Sequence, residues 1–256
     1  VAPVAPAPTA RPDDAGLELT FGLRAALAVL ARRPNDIRRL VVSSAARAEA
    51  QALELARQLG IELCEGSDAE LERLTGSKQH EGVALFARPR LWTAPRELAQ
   101  VLVARRGVAV VFDRVRNPFN IGAILRTAAF FGVDGALFGP LAPAPGLTGT
   151  AVRVAEGGVE HLLLARTTDL GHTLARLRAA GVHVYGADGH ARTSAFGFSF
   201  ERPAVLVLGN EREGLSPAVR STFEATLAIP GRGAVESLNV SVAGSILLAE
   251  LARSGR

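Results

Sequence analysis

Two runs of consecutive apolar residues constrain this 256-residue chain more than any other feature. In Val108-Ala109-Val110-Val111-Phe112 and Ala204-Val205-Leu206-Val207-Leu208 no position of either side-chain face is polar. A strand without a solvent face belongs in a parallel sheet covered by helices on both sides. Further alternation fits that reading. Ile121 to Phe131 reads as a helix ended by Gly132, Ala136 to Phe138 as a strand and Leu170 to Ala180 as a helix before Gly181. Val182 to Tyr185 reads as a strand and Leu238 to Leu251 as a final helix. The pattern specifies an α/β domain over residues 105–256.

A smaller α/β unit is expected over residues 19–90. Its helices are read at Phe21 to Arg32, at Ala45 to Leu59 before Gly60, and after a cap at Asp68. Its strands are read at Leu40 to Val42, Ile61 to Leu63 and Gly82 to Ala87. Residues 91–104, with Pro95 and a short helical run, read as a linker. The Pro/Ala-rich residues 1–18 read as a disordered tail or a linker remnant, and the absence of any Met as a processed or trimmed chain.

Composition removes several classes. A 48% hydrophobic, 21% charged chain is not a mostly disordered one. The single cysteine, Cys64, excludes an intrachain disulfide and a Cys-rich zinc site, and reads as a small core residue. That usage is compatible with a reducing, cytoplasmic setting. The five His form no HExxH and no close metal pair, so no metal is expected. No uncharged apolar run reaches about 18 residues, so no spanning helix is expected. Of the 29 basic residues only Lys78 is lysine. Codon bias accounts for most of that skew, and selection of Arg as a bidentate phosphate ligand is the remaining reading. The net charge of +4 permits a nucleic-acid partner and proves none.

Three constellations could carry chemistry. The first runs from Asp113 to Ala128, just past a buried strand, where ligands of open α/β sheets bind. Asn120 is read as the cap of the following helix, which puts Arg126 in its second turn. Arg114, Arg116 and Arg126 around one strand end favour an anionic ligand, against a plain cap with surface arginines. The second is Gly209-Asn210-Glu211-Arg212-Glu213-Gly214-Leu215, a ligand loop or simply a polar turn. The third runs from Ile229-Pro230 through Ser237-Leu238-Asn239-Val240-Ser241. There a helix mouth offers free N–H groups to a ligand, or merely carries its own cap. There is no G-x-S-x-G elbow, P-loop or G-x-G-x-x-G.

Taken together, these residues resemble the three signature motifs of the SpoU (TrmH) family of SPOUT-class, S-adenosylmethionine-dependent RNA ribose 2′-O-methyltransferases. The match is carried by Asn120-x-Gly122-x-x-x-Arg126-Thr127-Ala128, by Gly209-Asn210-Glu211-x-x-Gly214-Leu215, and by Ile229-Pro230 through Ser241. Residues 19–90, with Phe21-Gly22-Leu23 and His80-Glu81-Gly82, resemble the family's ribosomal-protein-like substrate-binding domain. The resemblance implies a trefoil-knotted, mostly parallel sheet in the second domain and a homodimer. It implies a donor site at Leu208, Gly209, Asn210, Ile229, Pro230 and Leu238, with S-adenosylhomocysteine as product. It makes Asn120, Arg126, Glu211, Ser237 and Asn239 the catalytic or substrate-orienting positions. Arg114 and Arg116, clustered beside that donor site, and His80 are expected toward RNA. The implied target is structured RNA, with 23S ribosomal RNA ahead of transfer RNA. A catalytically weak RNA-binding or ribosome-assembly factor is the reading from another class.

Two departures from the family pattern stand out. Glu81 occupies a position where many relatives have Gln, and an acid on an RNA-facing loop would weaken phosphate contact. Arg153-Val154-Ala155-Glu156-Gly157-Gly158 replaces a Ser-x-Gly-Ala pattern.

Overall fold

The computed structural model of the chain describes residues 14–43, 49–140 and 147–254. Most of the expected tail, and the start of the helix expected from Ala45, lie outside the described residues. In chain order the elements begin with β1 (Glu18–Phe21), α1 (Leu23–Arg32), β2 (Ile37–Ser43), α2 (Glu49–Gln58), β3 (Glu62–Gly66), α3 (Asp68–Thr75) and β4 (Val83–Ala87). There follow α4 (Pro95–Arg105), β5 (Val108–Asp113), α5 (Pro118–Phe130), β6 (Gly135–Phe138), α6 (Gly149–Val154), β7 (Leu163–Arg166), α7 (Leu170–Ala179) and β8 (His183–Ala187). The chain closes with β9 (Thr193–Ser194), β10 (Ala204–Gly209), α8 (Pro217–Arg220), β11 (Ala225–Ala228) and α9 (Val240–Ser254). No described helix is long and apolar enough to cross a membrane.

The elements divide into two compact units. One comprises the chain up to Arg90 together with Thr148–Glu160; the other comprises Leu91–Leu147 and His161–Arg256. Two expectations change here. Residues 91–104 are no linker. Pro95 sits at the start of α4, where its missing N–H is harmless, and Leu98 and Leu102, four apart on one face, are fully buried in the second unit's core. Residues 148–160, expected within one domain over 105–256, group with the first unit.

The first unit is a mixed sheet in the order β1-β4-β2-β3, antiparallel except for β2 against β3. Ala26, Val29 and Leu30 of α1 cover one face, and Leu71 of α3 covers the other beside Cys64. α3 is capped by Ser67 rather than Asp68. Ser67 Oγ accepts from the Glu70 N–H, and Glu70 returns a carboxylate to the Ser67 N–H, a complete capping box.

The Thr148–Glu160 segment is bound into this unit by charge. Arg33 and Arg90 both donate to the Glu160 carboxylate, at 2.9 and 2.6 Å, with Glu160 only 4% exposed. Arg90 also pairs with Glu18. Burial pushes the Glu160 carboxyl up, and Arg90 with Arg33 outweigh it, so the group stays below the ordinary carboxylate range. The two sequence departures meet in the same unit. Arg153 pairs with Glu81 at 3.4 Å and donates to Gln79 at 2.5 Å, while Glu81 accepts the Leu23 N–H at the start of α1. Glu156 pairs with Arg24.

The second unit is a sheet in the order β7-β6-β5-β10-β8-β11-β9, with every neighbouring pair parallel. The apolar runs are its two adjacent central strands, registered from Ala204 opposite Val108 to Gly209 opposite Asp113. Ala109, Val111, Val205 and Val207 pack on α4, α7 and α8. On the other face Leu208 meets α5 and α9, and Gly244 makes that approach possible: a Cβ there would lie 2.8 Å from Leu208 Cδ1 and 3.4 Å from Ile124 Cγ1.

Replacing Glu160 by Gln removes the buried charge that Arg33 and Arg90 share and leaves them Asp36 and Glu18, so it should destabilise the protein by about 2 kcal/mol, read by urea unfolding. Because the folded Glu160 carboxyl is depressed, its contribution is complete above the ordinary carboxylate range. It fades as pH falls through that range toward the folded value. Wild type should therefore lose stability below about pH 5 more steeply than Glu160→Gln.

Candidate active site at the carboxyl edge of the parallel sheet

β5 and β10 end side by side, so the loops that follow them are neighbours. These loops are locked together by the polar residues that end the strands. Asn210 donates from Nδ2 to the Arg114 carbonyl at 2.9 Å, and its Oδ1 accepts the N–H groups of Arg212 and Glu213. Arg114, in the left-handed region at φ 59°, returns its guanidinium to Glu213 and to the Gly214 carbonyl. Asp113 is buried and accepts the Ser216 N–H at 2.5 Å. Gly209 is required by contact: a Cβ would fall 2.6 to 2.7 Å from the backbone of Gly214 and Leu215, which cannot swing aside.

Three roles differ from the sequence reading. Asn117, not Asn120, caps α5, accepting the Phe119 N–H at 2.9 Å with Pro118 in the first turn. Asn120 is instead buried inside the helix and donates from Nδ2 to Glu211 Oε1 at 2.5 Å. Arg126 thereby falls in the third turn rather than the second. Arg114, expected toward RNA, is committed to the second loop. His80, also expected toward RNA, is 7% exposed, and its Nδ1 accepts the Gly82 N–H, so it holds the turn before β4.

A cavity of about 490 Å³ opens at this sheet edge. All six residues expected at the donor site line it: Leu208, Gly209, Asn210, Ile229, Pro230 and Leu238. Glu211 and Ser237 line it too, whereas Asn120 stands behind Glu211. Asn239 caps α9, its Oδ1 accepting from the Ser241 N–H at 2.8 Å and the Ser241 hydroxyl at 2.6 Å. Arg116 is exposed at the rim of the first loop. The far wall, Asp188-Gly189-His190 after β8, was not among the sequence candidates.

Arg126 lies on a different surface. It is exposed on α5 in a stripe with Phe119, Ala123 and Phe130, spaced three to four residues apart. Phe119 is 53% exposed and Phe130 82%, and Val242 of the adjacent α9 is 47% exposed. Among the described residues no group of three His, Cys, Asp or Glu could hold a metal ion.

Residues 107–249 match the model of the SpoU rRNA Methylase family. The chain belongs to that family. Residues 19–92 match the RNA 2′-O ribose methyltransferase substrate-binding model. An uncharacterised tRNA/rRNA methyltransferase of Mycobacterium avium (strain 104) is 34% identical over 207 residues, covering 80% of this chain. The chain spans about two thirds of the length of such relatives, 67% in this instance. Among solved structures it is similar to the SpoU methyltransferase AviRb from Streptomyces viridochromogenes in complex with AdoMet. The TM-score is 0.78 at 28% identity, over 95% of this chain and 92% of that one. It is also similar to an AdoMet-bound rRNA methyltransferase from Sinorhizobium meliloti, with TM-score 0.74 and 26% identity over 94% and 88%. The second and third of the three motifs in this SpoU protein wall the cavity, and the first reaches it through the bond from Asn120 to Glu211.

The lock geometry separates two arginines that the sequence leaves equivalent. Arg114→Ala should weaken nucleoside binding in the cavity by loosening the Gly209–Gly214 loop. Arg116→Ala should leave that binding intact and lower the slope of log RNA affinity against log salt by about 1. Calorimetric and filter-binding titrations of the two variants check both statements.

Proposed function

We propose that this SpoU-family protein transfers the methyl group of S-adenosylmethionine to a ribose 2′-hydroxyl of structured RNA. Ribosomal RNA is the favoured target, and the working form is a cytoplasmic homodimer. The observation that carries this reading is the cavity itself. Three loops, after β8, β10 and β11, wall one edge of the sheet, and the middle one, packed tightly on Gly209, presents backbone to the cavity. A nucleoside lying against backbone fits that shape. The two similar AdoMet-bound structures, one named as an rRNA methyltransferase, support the donor and the target. The trefoil knot implied by the family resemblance belongs to the same proposal, supported by the similarity to a SpoU methyltransferase structure over nearly the whole chain.

Leu208, Gly209, Asn210, Ile229, Pro230 and Leu238 hold the donor, which when bound supplies an electrophilic sulfonium methyl. The chain's own work is then positioning and charge. Glu211, fixed by Asn120, accepts a hydrogen bond from the ribose. Ser237 and Asn239, at the mouth of α9, orient the ribose from the other side. Arg126 keeps its proton and is no base by itself. Across the dimer it reaches the ribose in the partner copy's cavity, clamps the adjacent phosphate and stabilises the developing alkoxide, while the 2′-hydroxyl proton passes to solvent and S-adenosylhomocysteine leaves.

The exposed Phe119–Phe130 stripe supports the dimer. Two large aromatic side chains flanking an arginine on an open helix face are covered when a second copy of the same face meets them. That contact brings Arg126 under cover, where its charge acts in a lower dielectric.

With labelled donor and total RNA, the label should appear as a 2′-O-methylated nucleoside in ribosomal RNA. Label in transfer RNA alone would move the target. Donor binding without any incorporation would favour the binding-factor reading. Arg126→Ala should lower turnover by about 10²-fold with donor affinity retained, and turnover like wild type would remove Arg126 from the mechanism. Phe130→Glu should convert the dimer to monomer in sedimentation and abolish turnover together with it.

A further inference from the structure

The far wall of the cavity carries a carboxylate with no role in the mechanism above. Asp188 follows β8 directly and lines the cavity with Gly189 and His190. Its side chain is 14% exposed and rigidly held. Oδ1 accepts the His190 N–H at 3.0 Å, and Oδ2 accepts from Arg220 Nη1 at 2.7 Å. Arg220 is itself a strut between two walls, since its Nε donates to the Leu215 carbonyl at 3.3 Å, at the end of the loop that follows β10. Gly189 beside it is open, with nothing within 4 Å of where a Cβ would stand.

We infer that Asp188 is the acceptor for the ribose hydroxyls of the bound donor, and that Arg220 is the residue that positions it. The inference rests on the donor reading of this cavity. A carboxylate offers about four lone-pair sites, and the two bonds above leave acceptor capacity on both oxygens. A vicinal diol supplies two donors to match, the same chemistry by which acidic residues hold nucleotide riboses elsewhere. The competing partner within the donor is its α-ammonium. Arg220 already neutralises Asp188, so little Coulombic attraction remains for a second cation, while the lone pairs left on both oxygens can still accept from neutral hydroxyls. Burial pushes the Asp188 carboxyl up, but the His190 N–H and Arg220 hold it below the ordinary range, so it stays an acceptor at neutral pH.

Calorimetric titration with S-adenosylhomocysteine and with 5′-methylthioadenosine tests this. The second ligand keeps the nucleoside and lacks the amino acid. Asp188→Ala should weaken both by about tenfold or more. Weakening confined to S-adenosylhomocysteine would assign Asp188 to the ammonium, and unchanged affinity for both would reduce it to wall; either overturns the inference. The 2′,3′-dideoxy form of methylthioadenosine makes the test independent of the variant's folding. It should bind wild type about tenfold more weakly than methylthioadenosine and gain no further penalty from Asp188→Ala; equal binding by wild type overturns the inference. Arg220→Ala should weaken both ligands and raise the pH below which binding is lost, because Asp188 then titrates nearer its ordinary range. Arg220→Lys should restore much of that acid tolerance, and an unmoved pH profile would exclude positioning through Asp188. Failure of either ligand to bind wild type at all would sink the donor reading along with the inference, whereas normal binding with an indifferent Asp188 sinks the inference alone.

Discussion

The site depends on the pairing of β5 with β10. Once Gly209 stands opposite Asp113, two loops distant in sequence must leave the sheet at the same place. Asn210 then donates to the Arg114 carbonyl, and the Arg114 guanidinium donates to Glu213 and the Gly214 carbonyl of the same loop. The second loop is closed by paired backbone bonds between Asn210 and Gly214, and the first has no such closure. The side-chain bonds between them tie the two together, and both are fixed by strands with no freedom to slip, since every residue of the two apolar runs is buried. The cavity inherits its rigidity from that register.

Charge is distributed according to the same logic. Arginines that look alike in the sequence have separate work: Arg114 fastens a loop, Arg220 braces a cavity wall, Arg33 and Arg90 hold an inserted segment, and Arg116 and Arg126 face outward. Glu81 and Arg153, each a departure from the family pattern, form one pair. Glu81 also sits at the N-terminus of α1, where a carboxylate is favoured by the helix dipole. The acid at position 81 is thus neutralised within its own unit, and its presence need not weaken an RNA contact.

The strands were legible in the sequence because a parallel strand covered on both sides leaves no polar position to blur the pattern. The cavity loops were legible because glycine and asparagine mark the places where a ligand meets backbone. Side-chain partnerships were not. Asn120 and Asn117 are equally good caps by residue type, and the deciding signal was Pro118, which belongs at the first position of a helix and so points to Asn117. Pro95 had the same meaning for α4 and looked like a breaker only because the run after it was short. Ser67-x-x-Glu70 announced its capping box. Asp188 carried no local signal, since its importance arises from Arg220, 32 residues away.

The segment Thr148–Glu160 also sets a timetable. The residues up to Arg90 leave the ribosome before Glu160, so Arg33 and Arg90, which also pair with Asp36 and Glu18, lack their shared partner until Glu160 emerges. At roughly 5–20 residues per second, the nascent unit waits several seconds with the surface that Thr148–Glu160 covers still open. During that interval it is a natural client for chaperones. Exchange of this unit between proteins would require moving two separate stretches of coding sequence together, so it is expected to evolve with its own catalytic unit rather than as a portable module.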